Sequence, residues 1–258
     1  MNFNFGLKLW STNKNYVNEA IRLYDEGIYQ YIELFAVPNS YKEFIKVWKD
    51  LKIPYIIHAA HSMKGLNLAK RSFYENNIIL AQEAFKFADD LDVKFVIFHP
   101  GLDGDIQETL YQLNKLIDQK VIDTKRTVIE NKPYFAIIDN LICVGNSPEE
   151  IEFVIKNTGL GFCLDIGHAI YSANAKGIDP FDFLRQFNKL VPKIYHVADG
   201  DFNGLYDEHK NIGDGDFKLN KILSLLYQNS FITIETPKKF KDSLRDFVED
   251  MNFIKKIN

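Results

Sequence analysis

Short runs of β-branched and aromatic residues alternate along this chain with longer stretches of amphipathic helical spacing, and that alternation constrains the fold more than any other feature. Such alternation is the signature of strand–helix units around a parallel sheet. The strand-like runs fall at residues 3–9, 29–35, 54–58, 95–99, 127–130, 161–165, 194–197 and 231–235. Helical spacing is clearest over 72–91, 106–116, 148–156, 181–190, 219–226 and 242–255. Ser147-Pro148-Glu149-Glu150 is a helix start, with a capping serine, proline in the first turn and early acids. Eight units in 258 residues predict an α/β chain forming a single (β/α)8 TIM barrel over residues 1–258.

Connections from helix into strand are brief, as at Leu51-Lys52-Ile53. Connections from strand into helix are long after strands three, six and seven, and they collect Gly, Asp, His and Asn. In this barrel class the loops after the strands build the active site, so the elaboration falls on the catalytic side. All six histidines lie at strand ends or just beyond them: His58, His61, His99, His168, His196 and His209. Carboxylates hold equivalent places, with Glu33 on strand two, Glu130 on five, Asp165 on six and Glu235 on eight. One histidine at a strand end is ordinarily a hydrogen-bonded structural residue, and one carboxylate there is ordinarily a helix cap. The whole set is harder to explain in that way. A closed barrel draws it into one ring, suited to divalent Zn, Mn, Co or Mg, and the carboxylates would repel one another without a cation between them. Asp103, Asp105, Asp199 and Asp201 sit near glycines, where aspartate commonly makes turns.

Composition bounds the rest. No apolar run approaches the roughly 20 residues of a membrane helix, and the N-terminal MNFNFGLKLW has no basic flank leading into a long apolar segment. Cys143 and Cys163 are far apart and lack metal-type spacing, consistent with reduced thiols in a soluble cytoplasmic protein. A net charge of −4 gives no global attraction to nucleic acid, although local basic patches and bound cations can act against it.

The motifs Phe98-His99-Pro100-Gly101, Val128-Ile129-Glu130-Asn131, Cys163 to Ala169, Asp207-Glu208-His209 running into Ile212-Gly213-Asp214-Gly215, and Ile234-Glu235-Thr236 together resemble the xylose isomerase-like barrels. That superfamily includes sugar isomerases and epimerases as well as the endonuclease IV enzymes of abasic-site DNA repair. The resemblance implies two ligand sets. A single-metal isomerase or epimerase site maps onto Glu130, Asp165, His196 and Glu235. The three-zinc site of endonuclease IV adds His58 or His61, His99, His168, Asp207 and His209. The spacing to Asn67-Leu68 fits His61, whereas His58 is the better strand end. The segments Trp10-Ser11-Thr12-Asn13 and Ala36-Val37-Pro38-Asn39 do not match the loops by which endonuclease IV enters DNA, and Glu33 looks like the strand-two acid of the isomerase-like members.

Two activities are therefore expected. The first is a hydrolase, an endonuclease IV-like phosphodiesterase with two or three Zn ions, acting on abasic-site DNA or another phosphodiester, with Lys64, Lys70 and Arg71 as possible backbone contacts. The second is an isomerase or epimerase with one Mn, Co or Mg ion, acting on a small sugar or sugar phosphate. Glu130, Glu235 and His168 are the expected catalytic residues, with His168, Glu33 and His99 orienting hydroxyls in the second case.

Overall fold

The computed structural model describes residues 3–137 and 139–257; of the expected domain span 1–258, residues 1, 2, 138 and 258 lie outside the described residues. The barrel strands are β1 (Asn4–Trp10), β2 (Tyr31–Phe35), β3 (Tyr55–His58), β4 (Val96–Phe98), β5 (Thr127–Glu130), β6 (Gly161–Asp165), β7 (Ile194–Val197) and β8 (Phe231–Ile234). They pair in parallel in the order β1-β8-β7-β6-β5-β4-β3-β2 and close on themselves. The outer helices are α1 (Val17–Asp25), α2 (Tyr41–Lys49), α3 (Tyr74–Asp90), α4 (Ile106–Asp118), α5 (Pro148–Thr158), α6 (Ile166–Lys176), α7 (Pro180–Asn188), α8 (Leu219–Leu223) and α9 (Arg245–Ile257). The α5 start is as the sequence implies: the Ser147 side chain accepts from the Glu150 N–H, and Pro148 occupies the first turn.

Two apolar layers follow from the two faces of each strand. Tyr31, Ile56, Phe95, Ile97, Val128, Cys163 and Ile194 pack together inside the barrel, while Ile32, Ile57, Val96, Phe98, Ile129, Phe162, Leu164 and Tyr195 join the larger core beneath the helices. Gly6 makes room for the interior layer, since a Cβ there would run into the Tyr31 ring, whose hydroxyl bonds Thr233 Oγ1 at 2.8 Å. Two residues further along most strands the same inward face turns polar, giving Lys8, Glu33, His58, His99, Glu130, Asp165, His196 and Glu235. Strand alternation thus delivers the charged ring to the C-terminal mouth.

Two stretches differ from the sequence-based expectation. The segment after β6, expected as a long loop, is the helix α6, whose residues from Ile166 to Ala173 are all buried. After β5, the described residues 131–137 and 139–147 instead form a hairpin over the mouth. It is pinned by the Phe135–Ile142 bridge and by antiparallel pairing of Cys143–Val144 with Gly101–Leu102.

Candidate metal centre

Glu130 is the hub of the mouth. Its carboxylate lies 3.1 Å from His58 Nε2, 3.1 Å from His99 Nε2, 3.3 Å from His168 Nδ1 and 3.4 Å from His196 Nδ1, and all five residues are buried. Burial alone would push this carboxyl up, but the imidazoles around it, His99 and His196 foremost, hold it well below the usual carboxylate range.

The histidines are oriented by their second nitrogens. His58 Nδ1 lies 2.8 Å from the Ala59 carbonyl, His168 Nδ1 lies 2.8 Å from the Asn131 carbonyl, and His209 Nδ1 lies 2.9 Å from the Glu235 carbonyl. A carbonyl only accepts, so each Nδ1 carries the hydrogen, and each Nε2 turns towards a carboxylate. His58 Nε2 faces Glu130, while His168 Nε2 and His209 Nε2 approach Asp207 Oδ2 at 3.2 and 2.6 Å. His196 uses the other nitrogen: Nε2 bonds Glu33 Oε2 at 2.9 Å, and Nδ1 faces Glu235 at 2.8 Å and Asp165 at 3.9 Å.

A bare imidazole nitrogen aimed at a carboxylate oxygen sets lone pair against lone pair. Either a proton or a cation must lie between them. His99 Nδ1, His196 Nδ1 and Glu235 Oε2 are buried without a hydrogen-bond partner, and the last two are 2.8 Å apart but out of line for a hydrogen bond. Imidazole and carboxylate donors with anchored second nitrogens form a set that fits divalent transition ions. Candidate ligand atoms come together in several groups, including His58-His99-Glu130, Glu130-Asp165-His168 and His168-Asp207-His209.

Without an ion, protons fill the role. Burial opposes charge on His168, but Asp165 and Asp207 raise it to about 9; burial likewise opposes charge on His209, which Asp207 raises to about 10. His61 is different. Burial, reinforced by the charges of Lys132, His58 and Lys8, lowers it to about 3. Its ring lies further out, 6.1 Å from His99 and 5.3 Å from Phe35 between centroids. Of the two histidines left open by the sequence, His58 is the one in contact with Glu130.

Asp165 also caps α6, accepting from the His168 N–H at 2.7 Å, and its own backbone is braced by the Asn131 side chain. His168 consequently stands in the first turn of a helix and not in a loop. The turn reading suits the weaker acids: Asp105 caps α4, and Asp199 accepts from the N–H groups of Gly200, Gly213 and Phe217. Lys70 pairs with Asp103 and Arg71 stands over Tyr111, so among the three basic residues considered from sequence only Lys64 abuts the mouth, over the Trp10 ring.

The sequence reading missed two lysines. Lys8, on the inward face of β1, bridges Glu33 at 2.5 Å and Glu235 at 3.2 Å. Lys132, at the base of the hairpin, reaches 3.4 Å from His168 Nε2. A charged residue in the inward register of an otherwise apolar strand was the available signal for Lys8.

A family model described as xylose isomerase-like TIM barrel matches residues 20–257. The chain belongs to that family. Among the relatives of this xylose isomerase-like barrel is an Aquifex aeolicus protein named a probable endonuclease 4, 30% identical over 223 residues, which cover 76% of this chain and 75% of that one. Solved structures with the same fold include a D-tagatose 3-epimerase-like protein, with TM-score 0.73 and 20% identity over 98% of this chain and 96% of the other. They also include endonuclease IV from Thermus thermophilus, with TM-score 0.71 and 20% identity over 98% of this chain and 99% of the other.

Proposed function

We propose that this protein is a multinuclear zinc phosphodiesterase of the endonuclease IV type. The observation that carries the reading is the pairing of His168 and His209 on Asp207, adjoining the Glu130 group. A site for one ion needs only the Glu130, Asp165, His196 and Glu235 donors, and the further trio gives the mouth capacity for more. The 30% identity to a probable endonuclease 4 supports the same reading.

Glu130, Asp165, His58, His99, His168, His196, Asp207, His209 and Glu235 would hold the ions, and His61 stands further out at the rim. When bound, divalent ions supply Lewis-acid charge for a phosphoryl group and acidify water. The protein's own part is orientation. The Ala59, Asn131 and Glu235 carbonyls and the Glu33 carboxylate fix the rings, the buried floor excludes bulk water, and Lys8 offsets the charge of Glu33 and Glu235.

The alternative, an isomerase or epimerase with one Mn, Co or Mg ion acting on a small sugar or sugar phosphate, draws on a different observation. The cavity at the mouth is about 660 Å³, a size for a small molecule. In that case Glu130 or Glu235 would move the proton. Elemental analysis of protein purified without added metal separates the two. Two or three zinc ions per chain, with hydrolysis of an abasic duplex or a chromogenic phosphodiester, are expected; one exchangeable ion with turnover only on sugars would overturn the proposal. Glu130→Gln should strip the site and lower activity by more than about 100-fold, since losing even an outer-sphere partner of a metal ligand costs roughly 10–100-fold.

A further inference from the structure

Lys132 differs from Lys8, the other lysine set among the candidate ligands, in its lack of a carboxylate partner. Lys8 is held between two carboxylates, whereas Lys132 makes no ion pair with a carboxylate among the described residues, and its polar side-chain contact is His168 Nε2 at 3.4 Å. A half-buried ammonium without a carboxylate partner is costly to bury and is open to an anion in the cavity.

The placement of Lys132 is fixed by its backbone. Its N–H donates to the Gly145 carbonyl at 2.9 Å, and its carbonyl accepts from Ser172 Oγ at 3.1 Å. The preceding Asn131 is tied on both sides to Asp165. The side chain therefore rises from a rigid base into the cavity, which it lines together with His61, His99, His168 and Asp207.

We propose that Lys132 is the anion-holding residue of the mouth, donating to an anionic oxygen of the substrate beside the His168, Asp207 and His209 trio. This assignment rests on the phosphodiesterase reading for the identity of the anion, a phosphate. Lys132 acts as a positioning and charge-matching group, and the hairpin that bears it becomes part of the substrate site. Ala136 and Ile137 on the same hairpin, with Trp10 and Met63 opposite, would flank the apolar remainder of the substrate.

The test is titration of inorganic phosphate into protein carrying its native metal, followed by calorimetry, with metal content and thermal melting measured on the same samples. Lys132→Gln should weaken phosphate at least about tenfold with metal content unchanged, while Lys132→Arg, which keeps the charge, should stay within about threefold. Lys132→Met, which keeps the aliphatic stem, replaces the Gln variant if that one does not fold. Wild-type phosphate affinity in the charge-free variant, or no phosphate binding by the wild type, would overturn the assignment. If the wild type carries one ion or none and the Gln variant still loses phosphate, Lys132 keeps its role while the phosphodiesterase reading falls. Two or three ions with no effect of the substitution would do the opposite, sparing the phosphodiesterase and removing Lys132 from its site.

Discussion

Protons and metal ions compete for the same nitrogens at the barrel mouth, so pH acts on both stability and loading. Burial disfavours a charged His168 or His209, yet the carboxylates facing them prevail and hold them at about 9 and about 10. Burial also opposes charge on His196, and Cys163, Glu33, Glu235 and Glu130 together overcome it and raise this histidine as well. A raised folded-state value stabilises the fold below the ordinary histidine range, near roughly 6.5, and that stabilisation is lost as pH rises through the folded value. The metal-free protein should thus weaken between about pH 6.5 and pH 10, whereas metal affinity should rise over the same range. At pH 7 full loading should release at least two protons, one each from His168 and His209. Calorimetric zinc titrations in two buffers of different ionisation enthalpy count them directly, and no dependence on buffer would contradict the proton-filled site.

At the scale of elements, most of the barrel was legible. Strand positions agree with the sequence to within two residues at each end, because several apolar runs stop at a polar inward residue, as at Glu130, Asp165 and His58. The helix α6 escaped because a helix buried on every side has no polar face and so no amphipathic period. The hairpin escaped because its pairing depends on contacts that local spacing does not encode, Cys143–Val144 against Gly101–Leu102. Donor residues were visible as a set, but the carbonyls that orient their rings were not, since backbone partners leave no residue-type signal. Two glycines test how tightly the hairpin is seated. Gly145 and Gly159 both have positive φ, 82° and 74°, but a Cβ at Gly145 would overlap Pro100 beside His99 whereas at Gly159 it meets open space. Gly159→Ala should cost about 1 kcal/mol from backbone strain alone, and Gly145→Ala at least about 1 kcal/mol more from the added overlap. Equal costs in urea unfolding would show that the hairpin yields at Pro100.

At the scale of the whole molecule, the question is how much nucleic acid this surface can engage. The chain carries a net charge of −4, which opposes a polyanion everywhere except where cations are locally exposed. No helix among the described residues is long and apolar enough to cross a membrane. The cations available at the mouth are few: Lys132 and Lys238 line it and Lys64 stands over Trp10, while Lys8 is already engaged by Glu33 and Glu235. Three phosphate contacts would give a logarithmic salt slope of about −2.7 on duplex DNA, a loss of roughly 40-fold in affinity between about 50 and 200 mM salt. Binding of an abasic duplex across that range, beside hydrolysis of a small phosphodiester under the same conditions, measures the footprint. A slope near that value fits a substrate gripped at the mouth alone. A slope twice as steep would require phosphate contacts on a basic face beyond the mouth. A flat response of duplex binding, with the small ester still hydrolysed, would assign the cavity to a compact phosphodiester and leave DNA outside it.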